Sequence, residues 1–110
     1  MATNESRLIY DCMQLLGLHG AIFRTNAGQF YTKDGKPVSG LPKGFTDLLF
    51  VRKDGVPCFI ELKVGKNKPS PEQLAFIEKM QSHNARAGIA HTPEEAAIIC
   101  GLDNTGAGGE

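Results

Sequence analysis

The sequence has the length and composition of one globular domain. It contains 110 residues, of which 41% are hydrophobic and 22% are charged, and its formal net charge is +0. These values exclude a chain that is disordered throughout, and one that coats nucleic acid by overall electrostatic attraction, although a local basic patch is compatible with them. We expect one domain over residues 1–102, followed by a mobile, glycine-rich tail over residues 103–110.

No membrane span or secretion signal is expected. No apolar run approaches the roughly 20 residues of a membrane helix, and the N-terminus lacks a signal-peptide pattern. The residues Cys12, Cys58 and Cys100 are far apart and match neither a disulfide framework nor a zinc site. We therefore expect a cytoplasmic protein without membrane contact, whose cysteines are reduced and buried.

An amphipathic helix is predicted near the N-terminus. Thr3 or Asn4 can cap its first turn, and Gly17 and Gly20 can end it. Its apolar side chains recur at helical spacing, at Leu8, Cys12, Leu15 and Leu16.

One acidic residue, Glu5, lies on the same helical stripe as Ile9, Cys12 and Leu16. We expect it to continue the buried stripe towards the N-terminus instead of lying on the polar face. Two interpretations are open. The carboxylate stabilises the positive end of the helix dipole, or it is a third carboxylate directed at a metal site.

Two short strands are predicted between the first helix and Leu41. They cover residues 21–25 and 29–32, with turns over residues 26–28 and 34–37. The aromatic side chains of the second strand could stack on a base or pack in the core.

Basic side chains accompany these strands. They are Arg24, Lys33, Lys36 and Lys43. They could contact phosphates of a nucleic acid, and an ordinary polar surface hairpin has the same pattern. Arg24 is the preferred candidate for a phosphate contact because it lies near the strand layer.

A β-hairpin is predicted next, and its turn sets its register. Nearly continuous apolar runs over residues 48–51 and 58–60 indicate buried strands that are covered on both faces. The turn at residues 53–55 ends in glycine, which suits a three-residue loop with a left-handed last residue. Arg52 then pairs with Val56.

This register brings polar residues together at the open end of the hairpin. Leu48 lies opposite Ile60, and Asp47 lies opposite Glu61, on one face of the sheet. Lys63 is two residues beyond Glu61, so its side chain projects from the same face.

Two neighbouring carboxylates repel each other, and one of them would be protonated near neutral pH unless a cation lies between them. Carboxylate oxygens are preferred ligands of Mg²⁺ and Mn²⁺. A nearby lysine can position or deprotonate a water, or stabilise developing negative charge, and this set suits hydrolysis of a phosphodiester. The alternative is a solvated sheet face with a salt bridge.

A basic loop leads into a second helix. Lys66 and Lys68 follow Lys63 closely, as expected beside a phosphate site, although a solvated loop looks the same. The helix start at Ser70 has serine as N-cap and proline at the first helical position. Gln73 points inward, either as the reciprocal cap or as a hydrogen-bond donor to the site.

The remaining chain predicts a short buried strand over residues 87–91 and a helix capped by Thr92. His91 is interpreted as a hydrogen-bonding residue at the strand end, with a ligand role as the alternative. The element order predicts an α/β sandwich, in which a central mixed sheet is flanked by helices and the site residues converge at one end of that sheet.

The site residues resemble a known signature. Asp47 and the run Glu61-Leu62-Lys63 are similar to the PD-(D/E)xK nuclease motif. Together with Glu5, Gly44 and Gln73, they resemble the virus-type replication-repair nuclease (VRR-NUC) family over about residues 4–100, nearly the whole chain. One departure is Thr46, where the family usually has proline. The change alters the local backbone restriction but removes no ligand.

The resemblance implies a restriction-endonuclease-like fold and a Mg²⁺-dependent DNA endonuclease, with Mn²⁺ as a substitute. Stand-alone members of this size are similar to homodimeric Holliday-junction resolvases, often encoded by phages. Members that are fused to larger proteins act on flaps and cross-link repair intermediates.

The resemblance also implies residue roles. Asp47, Glu61 and the backbone carbonyl of Leu62 would ligate the metal, and Lys63 would orient or deprotonate the attacking water. Glu5 would hold a metal-bound water or a second metal, and Gln73 would support the site. The expected nucleic-acid contacts are Arg24, Lys43, Lys66 and Lys68. Two alternatives remain open: a non-catalytic DNA-binding module, and a nuclease subunit that needs a helicase or another replication-repair partner.

Overall fold

The computed structural model describes residues 4–26, 30–38 and 40–102. The turn predicted over residues 26–28 lies largely outside these ranges, and the tail predicted over residues 103–110 lies entirely outside them. The described elements in chain order are α1 (Glu5–Leu16), β1 (Gly20–Arg24), β2 (Phe30–Tyr31), β3 (Pro37–Val38), β4 (Leu48–Arg52), β5 (Pro57–Leu62), α2 (Pro71–Ser82), β6 (Arg86–Ala90) and α3 (Pro93–Ile99).

The main sheet has four strands in the order β1-β4-β5-β6. The β1–β4 and β4–β5 pairs are antiparallel, and the β5–β6 pair is parallel, so the predicted mixed sheet is confirmed. The strands β2 and β3 form a separate two-stranded sheet. The sequence predicts a turn over residues 34–37, but in the structure Pro37 already belongs to β3. The Thr32 N–H donates to the Lys36 carbonyl at 2.8 Å, and the chain then pairs back on itself as β3.

The two faces of β5 carry different layers. Cys58, Ile60 and Leu62 are fully buried in the main core with residues of α1 and α3. The alternate residue Phe59 points to the other face, where its ring centroid lies 5.6 Å from that of Phe76 on α2. Helices therefore flank the sheet on both faces, which confirms the predicted α/β sandwich.

The strand β4 is covered less completely than its sequence suggested. Leu48 and Phe50 are fully buried, whereas Leu49 and Val51 on the α2 face are only half-buried. The expectation of two covered faces is thus wrong for β4. The physical reason is the position of α2, which packs against β5 and β6.

The hairpin between β4 and β5 has the predicted register. The Arg52 N–H donates to the Val56 carbonyl at 3.0 Å, and Leu48 pairs with Ile60. Hydrogen-bonded and non-hydrogen-bonded pairs alternate along an antiparallel ladder. One step beyond the Leu48–Ile60 pair, Asp47 and Glu61 fall on a non-hydrogen-bonded position, where opposed side chains come closest.

The helix starts follow the expected capping chemistry. Of the two alternatives for α1, Asn4 is the N-cap, because its side chain accepts a hydrogen bond from the Arg7 N–H. Ser70 and Thr92 cap α2 and α3 in the same way. Within the described residues, no helix is both long and apolar enough to cross a bilayer.

The three cysteines are free and buried, as predicted. They lie in the core between the sheet and the α1–α3 layer. Burial raises the pKa of the Cys12 thiol to about 12, so this group is a neutral packing residue at physiological pH.

A glycine allows the loop before β4 to pack closely against the start of α2. Gly44 has a φ of +93°, and a Cβ added there would lie 2.5 Å from the backbone carbonyl oxygen of Glu72. The neighbouring Lys43 ammonium lies 3.7 Å from the Glu72 carboxylate. This close approach fixes the chain just before Asp47 against the first turn of α2.

Replacement of Gly44 by alanine should lower the free energy of unfolding by about 2–4 kcal/mol, since it adds a backbone clash to the strain of a positive φ. The matched control is Gly55→Ala. It has a φ of +89° but open space around the new methyl group, so it should cost only about 1 kcal/mol. Urea denaturation of the two variants measures the difference, and equal losses would contradict the proposed clash.

Candidate active site

The carboxylate of Glu61 is the buried centre of the polar cluster. The residue is 1% exposed, on the face of β5 that α2 covers. Its Oε2 accepts a hydrogen bond from Gln73 Nε2 at 2.8 Å and lies 3.3 Å from Lys63 Nζ. Its other oxygen, Oε1, is buried and has no hydrogen-bond partner among the residues that the structure describes. An unpaired buried carboxylate oxygen is costly unless a cation or a water reaches it.

The carboxylate of Asp47 is held by the next strand. Its Oδ2 accepts a hydrogen bond from the Leu62 N–H at 2.9 Å. The regular β4–β5 pairing ends at Leu48 and Ile60, so the Asp47 side chain takes the place of a ladder partner. This bond fixes one oxygen of Asp47 at the end of β5.

The backbone of Leu62 faces the same side. The Lys63 N–H donates to the Ala90 carbonyl of β6 at 3.1 Å, and backbone groups of successive residues in a strand point to opposite edges. The N–H and the carbonyl of Leu62 therefore point towards Asp47, as the hydrogen bond to Asp47 also requires. A carbonyl oxygen thus lies on the edge that carries the carboxylate.

The two carboxylates influence each other electrostatically. The pKa of Glu61 is raised to about 7, first by burial and second by the negative charge of Asp47, while the Lys63 ammonium opposes the shift. Shared negative charge in a poorly solvated place has this effect. The geometry therefore favours a positive charge between Asp47 and Glu61.

The side chain of Gln73 serves the helix and the site together. Its Oε1 accepts a hydrogen bond from the Ser70 N–H at 2.9 Å, and the Ser70 hydroxyl accepts one from the Gln73 N–H at 3.1 Å. Because Oε1 is occupied by Ser70, the amide nitrogen is directed at Glu61. Both interpretations of Gln73 offered by the sequence describe the same conformation.

Aromatic rings pack against each other next to the residues of the cluster. Phe45, two residues before Asp47, packs on Phe76 of α2 with ring centroids 4.6 Å apart. Phe59, two residues before Glu61, contacts both rings edge-on. This packing joins the segment before β4 to β5 and to α2.

The side chain of Glu5 does not follow its stripe into the core. Ile9, Cys12 and Leu16 are buried as expected, but Glu5 is exposed, as are its neighbours Asn4 to Arg7. The expected burial is wrong because helical periodicity gives the direction of a side chain, and the first turn of α1 extends past the core.

Within residues 4–26, 30–38 and 40–102, no group of three His, Cys, Asp or Glu side chains could hold a metal ion. The metal role of Glu5 stays a prediction.

The basic candidates lie around the same end of the sheet. Arg24 ends β1 beside Leu48, Lys43 precedes Asp47, and Lys66 and Lys68 follow β5. All four side chains belong to exposed residues, and Lys43 forms an ion pair with Glu72. They can therefore form a charged rim around the cluster of Asp47, Glu61, Lys63 and Gln73.

One site neighbour was not anticipated. Thr25, directly after β1, donates through its backbone N–H to the Asp47 carbonyl at 3.0 Å. Its hydroxyl donates to the Thr46 carbonyl at 2.5 Å. The only signal in the sequence is a threonine at the end of a predicted strand, because nothing in the sequence says which strand neighbours β1.

The donor set fits a hard divalent cation. Two carboxylates and a backbone carbonyl could supply oxygen ligands, and Oε1 of Glu61 has no hydrogen-bond partner within the described part of the chain. Mg²⁺ is commonly bound by one or two carboxylates and keeps several waters. The residues Asp47, Glu61 and Leu62 therefore fit Mg²⁺ or Mn²⁺ without a third acidic side chain.

The raised pKa of Glu61 predicts a pH dependence of stability without divalent metal. Between pH 4.5 and about 7 the folded chain keeps a proton that the unfolded chain has lost, so stability falls as pH rises through this window. Glu61→Gln removes the ionisable group, so its stability should not fall in this window. The free energy of unfolding of this variant should exceed that of the wild type by up to about 3 kcal/mol at pH 8, and should equal it below pH 4.

Thermal unfolding in chelator across this pH range measures the effect. The exposed Glu78→Gln is the control for the removal of one negative charge. A pH-independent difference between Glu61→Gln and the wild type would contradict the assignment.

Comparison with known proteins identifies the fold. No family model matches the sequence, and no curated protein matches it either. A solved structure described as "VRR_NUC domain" is similar with a TM-score of 0.63 and 22% sequence identity, covering 89% of this chain and 95% of that chain. The described four-stranded mixed sheet with its three helices thus has the fold of a VRR_NUC domain, in agreement with the restriction-endonuclease-like fold that the family resemblance implies.

Proposed function

We propose that the chain is a divalent-metal-dependent, structure-selective DNA endonuclease of the VRR-NUC type. Its substrates are branched DNAs, with the four-way (Holliday) junction as the preferred one. The observation that carries the proposal is the pairing of Asp47 with a buried Glu61 beside Lys63, on a fold shared with a VRR_NUC domain. One oxygen of Glu61 has no hydrogen-bond partner among residues 4–26, 30–38 and 40–102.

The proposed metal is Mg²⁺, with Mn²⁺ as a substitute, held by Asp47, Glu61 and the Leu62 carbonyl. When bound, such an ion supplies Lewis-acid polarisation of a phosphate oxygen and lowers the pKa of a coordinated water. The exposed Glu5 is proposed to hold such a water or a second ion. Mutual repulsion of the two carboxylates is the physical driving force for binding, since a cation removes it.

The proposed role of Lys63 is electrostatic and positional. Its ammonium lies 3.3 Å from Glu61, and its side chain is 16% exposed, so it reaches from the buried carboxylate towards solvent. From there Nζ can orient the attacking water, or accept its proton when neutral, and can neutralise negative charge that develops on the phosphate. Gln73 keeps Glu61 in position by donating to Oε2.

The proposed DNA contacts are the exposed rim residues Arg24, Lys43, Lys66 and Lys68. Contacts of this kind bind the phosphate backbone and position it, without reading the bases. The chain is neutral overall, so this positive charge is local and would favour substrates that reach several sides of the rim at once. A branched DNA does so.

A homodimer is proposed as the active assembly. Symmetric resolution of a four-way junction needs two cuts related by a two-fold axis, and two copies of one site supply them. This step rests on analogy with the family. Cooperation with a helicase or another replication-repair partner is the alternative assembly.

The test is cleavage of labelled duplex, flap, splayed-arm and four-way-junction DNA with and without Mg²⁺, with the solution mass measured in parallel. Wild-type protein should cut the junction only with the metal. Asp47→Asn and Lys63→Ala should lower the rate by at least about 100-fold, because each removes a group that stabilises charge at the reacting phosphate.

Lys53→Ala is the control for loss of a lysine, because Lys53 lies in the hairpin turn at the opposite end of β4. It should cut at the wild-type rate. Equal activity of all variants would indicate a contaminating nuclease. Metal-independent binding without cleavage would replace the proposal by a DNA-binding module, and cleavage that appears only with a partner would replace it by a nuclease subunit.

A further inference from the structure

We propose that Thr25 is a positioning residue that sets the place of the Asp47 carboxylate relative to Glu61. The inference rests on the proposed metal role of Asp47. Thr25 makes three hydrogen bonds to the chain around Asp47. Its N–H donates to the Asp47 carbonyl at 3.0 Å, and its hydroxyl donates to the Thr46 carbonyl at 2.5 Å and lies 3.2 Å from the Asp47 carbonyl.

These bonds form where the regular sheet stops. The β1–β4 ladder ends at the pair Arg24–Leu48, and the β4–β5 ladder ends at Leu48–Ile60. Thr46 and Asp47 therefore enter the sheet without regular pairing on the β5 side. Thr46 is fully buried, so its carbonyl would be costly to leave without a donor. The Thr25 hydroxyl supplies that donor.

Asp47 is consequently anchored from two neighbouring strands. On the β1 side, Thr25 holds the backbone at Thr46 and Asp47. On the β5 side, the Leu62 N–H holds the carboxylate through Oδ2. The Leu62 bond opposes rotation of the Asp47 side chain, and the Thr25 bonds oppose a shift of the backbone that carries this side chain.

Such an anchor matters because a metal site tolerates little displacement. Ligands generally have to be held within roughly 0.5 Å of the productive geometry. Mutation of a residue that hydrogen-bonds a ligand typically weakens metal affinity by about 10–100-fold. Thr25 has this relation to Asp47. Its hydroxyl bonds the backbone of the ligand residue and of the residue before it, and it needs no contact with the metal or the substrate.

The experiment compares Thr25→Val, which keeps the shape and removes the hydroxyl, with Thr25→Ser, which keeps the hydroxyl. Mn²⁺ binding to the DNA-free protein is measured by calorimetry, and cleavage kinetics are measured separately. Thr25→Val should weaken Mn²⁺ binding about tenfold and lower kcat with an unchanged KM for DNA. Thr25→Ser should retain the wild-type values of both.

Thr92→Val is the matched control, because it removes the hydroxyl that caps α3 and accepts from the Glu95 N–H at 3.0 Å. It should reduce stability by about 1 kcal/mol and leave Mn²⁺ affinity unchanged. If Thr25→Val does not fold, Thr25→Ala takes its place in the comparison.

Wild-type affinity for Mn²⁺ in Thr25→Val, or equal weakening in Thr25→Val and Thr92→Val, would overturn the positioning role while leaving the proposed nuclease intact. A wild-type protein that binds no Mn²⁺ would overturn the proposed function, and this inference with it. A loss of Mn²⁺ affinity in Thr25→Ser equal to that in Thr25→Val would also overturn the inference, since the hydroxyl would then not be the group that matters.

Discussion

The candidate site depends on how the negative charge of one buried carboxylate is balanced. Glu61 has an amide and an ammonium on one oxygen, and the other oxygen has no hydrogen-bond partner in the described ranges of the chain. Burial and the charge of Asp47 both raise its pKa. A purely structural site would satisfy both oxygens, because an unpaired polar atom in the interior costs stability. The arrangement is instead what a protein needs if a cation completes it, and residues at functional sites commonly carry such a cost.

The surrounding elements hold this carboxylate from different directions. β5 supplies Glu61 and Lys63, the hairpin register places Asp47 opposite, and α2 directs Gln73 towards the same point. Gly44 lets the loop before β4 pack against the first turn of α2. The packed rings of Phe45, Phe59 and Phe76 join the same segments. Fold and site are therefore specified by the same short segments, residues 44–47, 59–63 and 70–76.

Much of this was predictable from the sequence because the decisive features are local. The Gly55 turn fixes the β4–β5 register, and the register places Asp47 against Glu61. The capping motif at Ser70 fixes the direction of Gln73. Features that depend on distant parts of the chain were not predictable. Periodicity could not show that Glu5 lies beyond the core, and nothing in the sequence placed Thr25 beside Asp47, since that contact depends on the pairing of β1 with β4.

Gln73 bonds both Ser70 and Glu61, so it couples the hydrogen bonding of Glu61 to the first turn of α2. Helix ends fray at a small fraction of the free energy of global unfolding. When opening of the Ser70–Gln73 cap displaces the Gln73 side chain, Oε2 of Glu61 loses its amide donor and keeps only the Lys63 ammonium. The fraction of molecules in which Gln73 donates to Glu61 thus depends on a local opening equilibrium at Ser70, which solvent conditions can shift before the sheet unfolds.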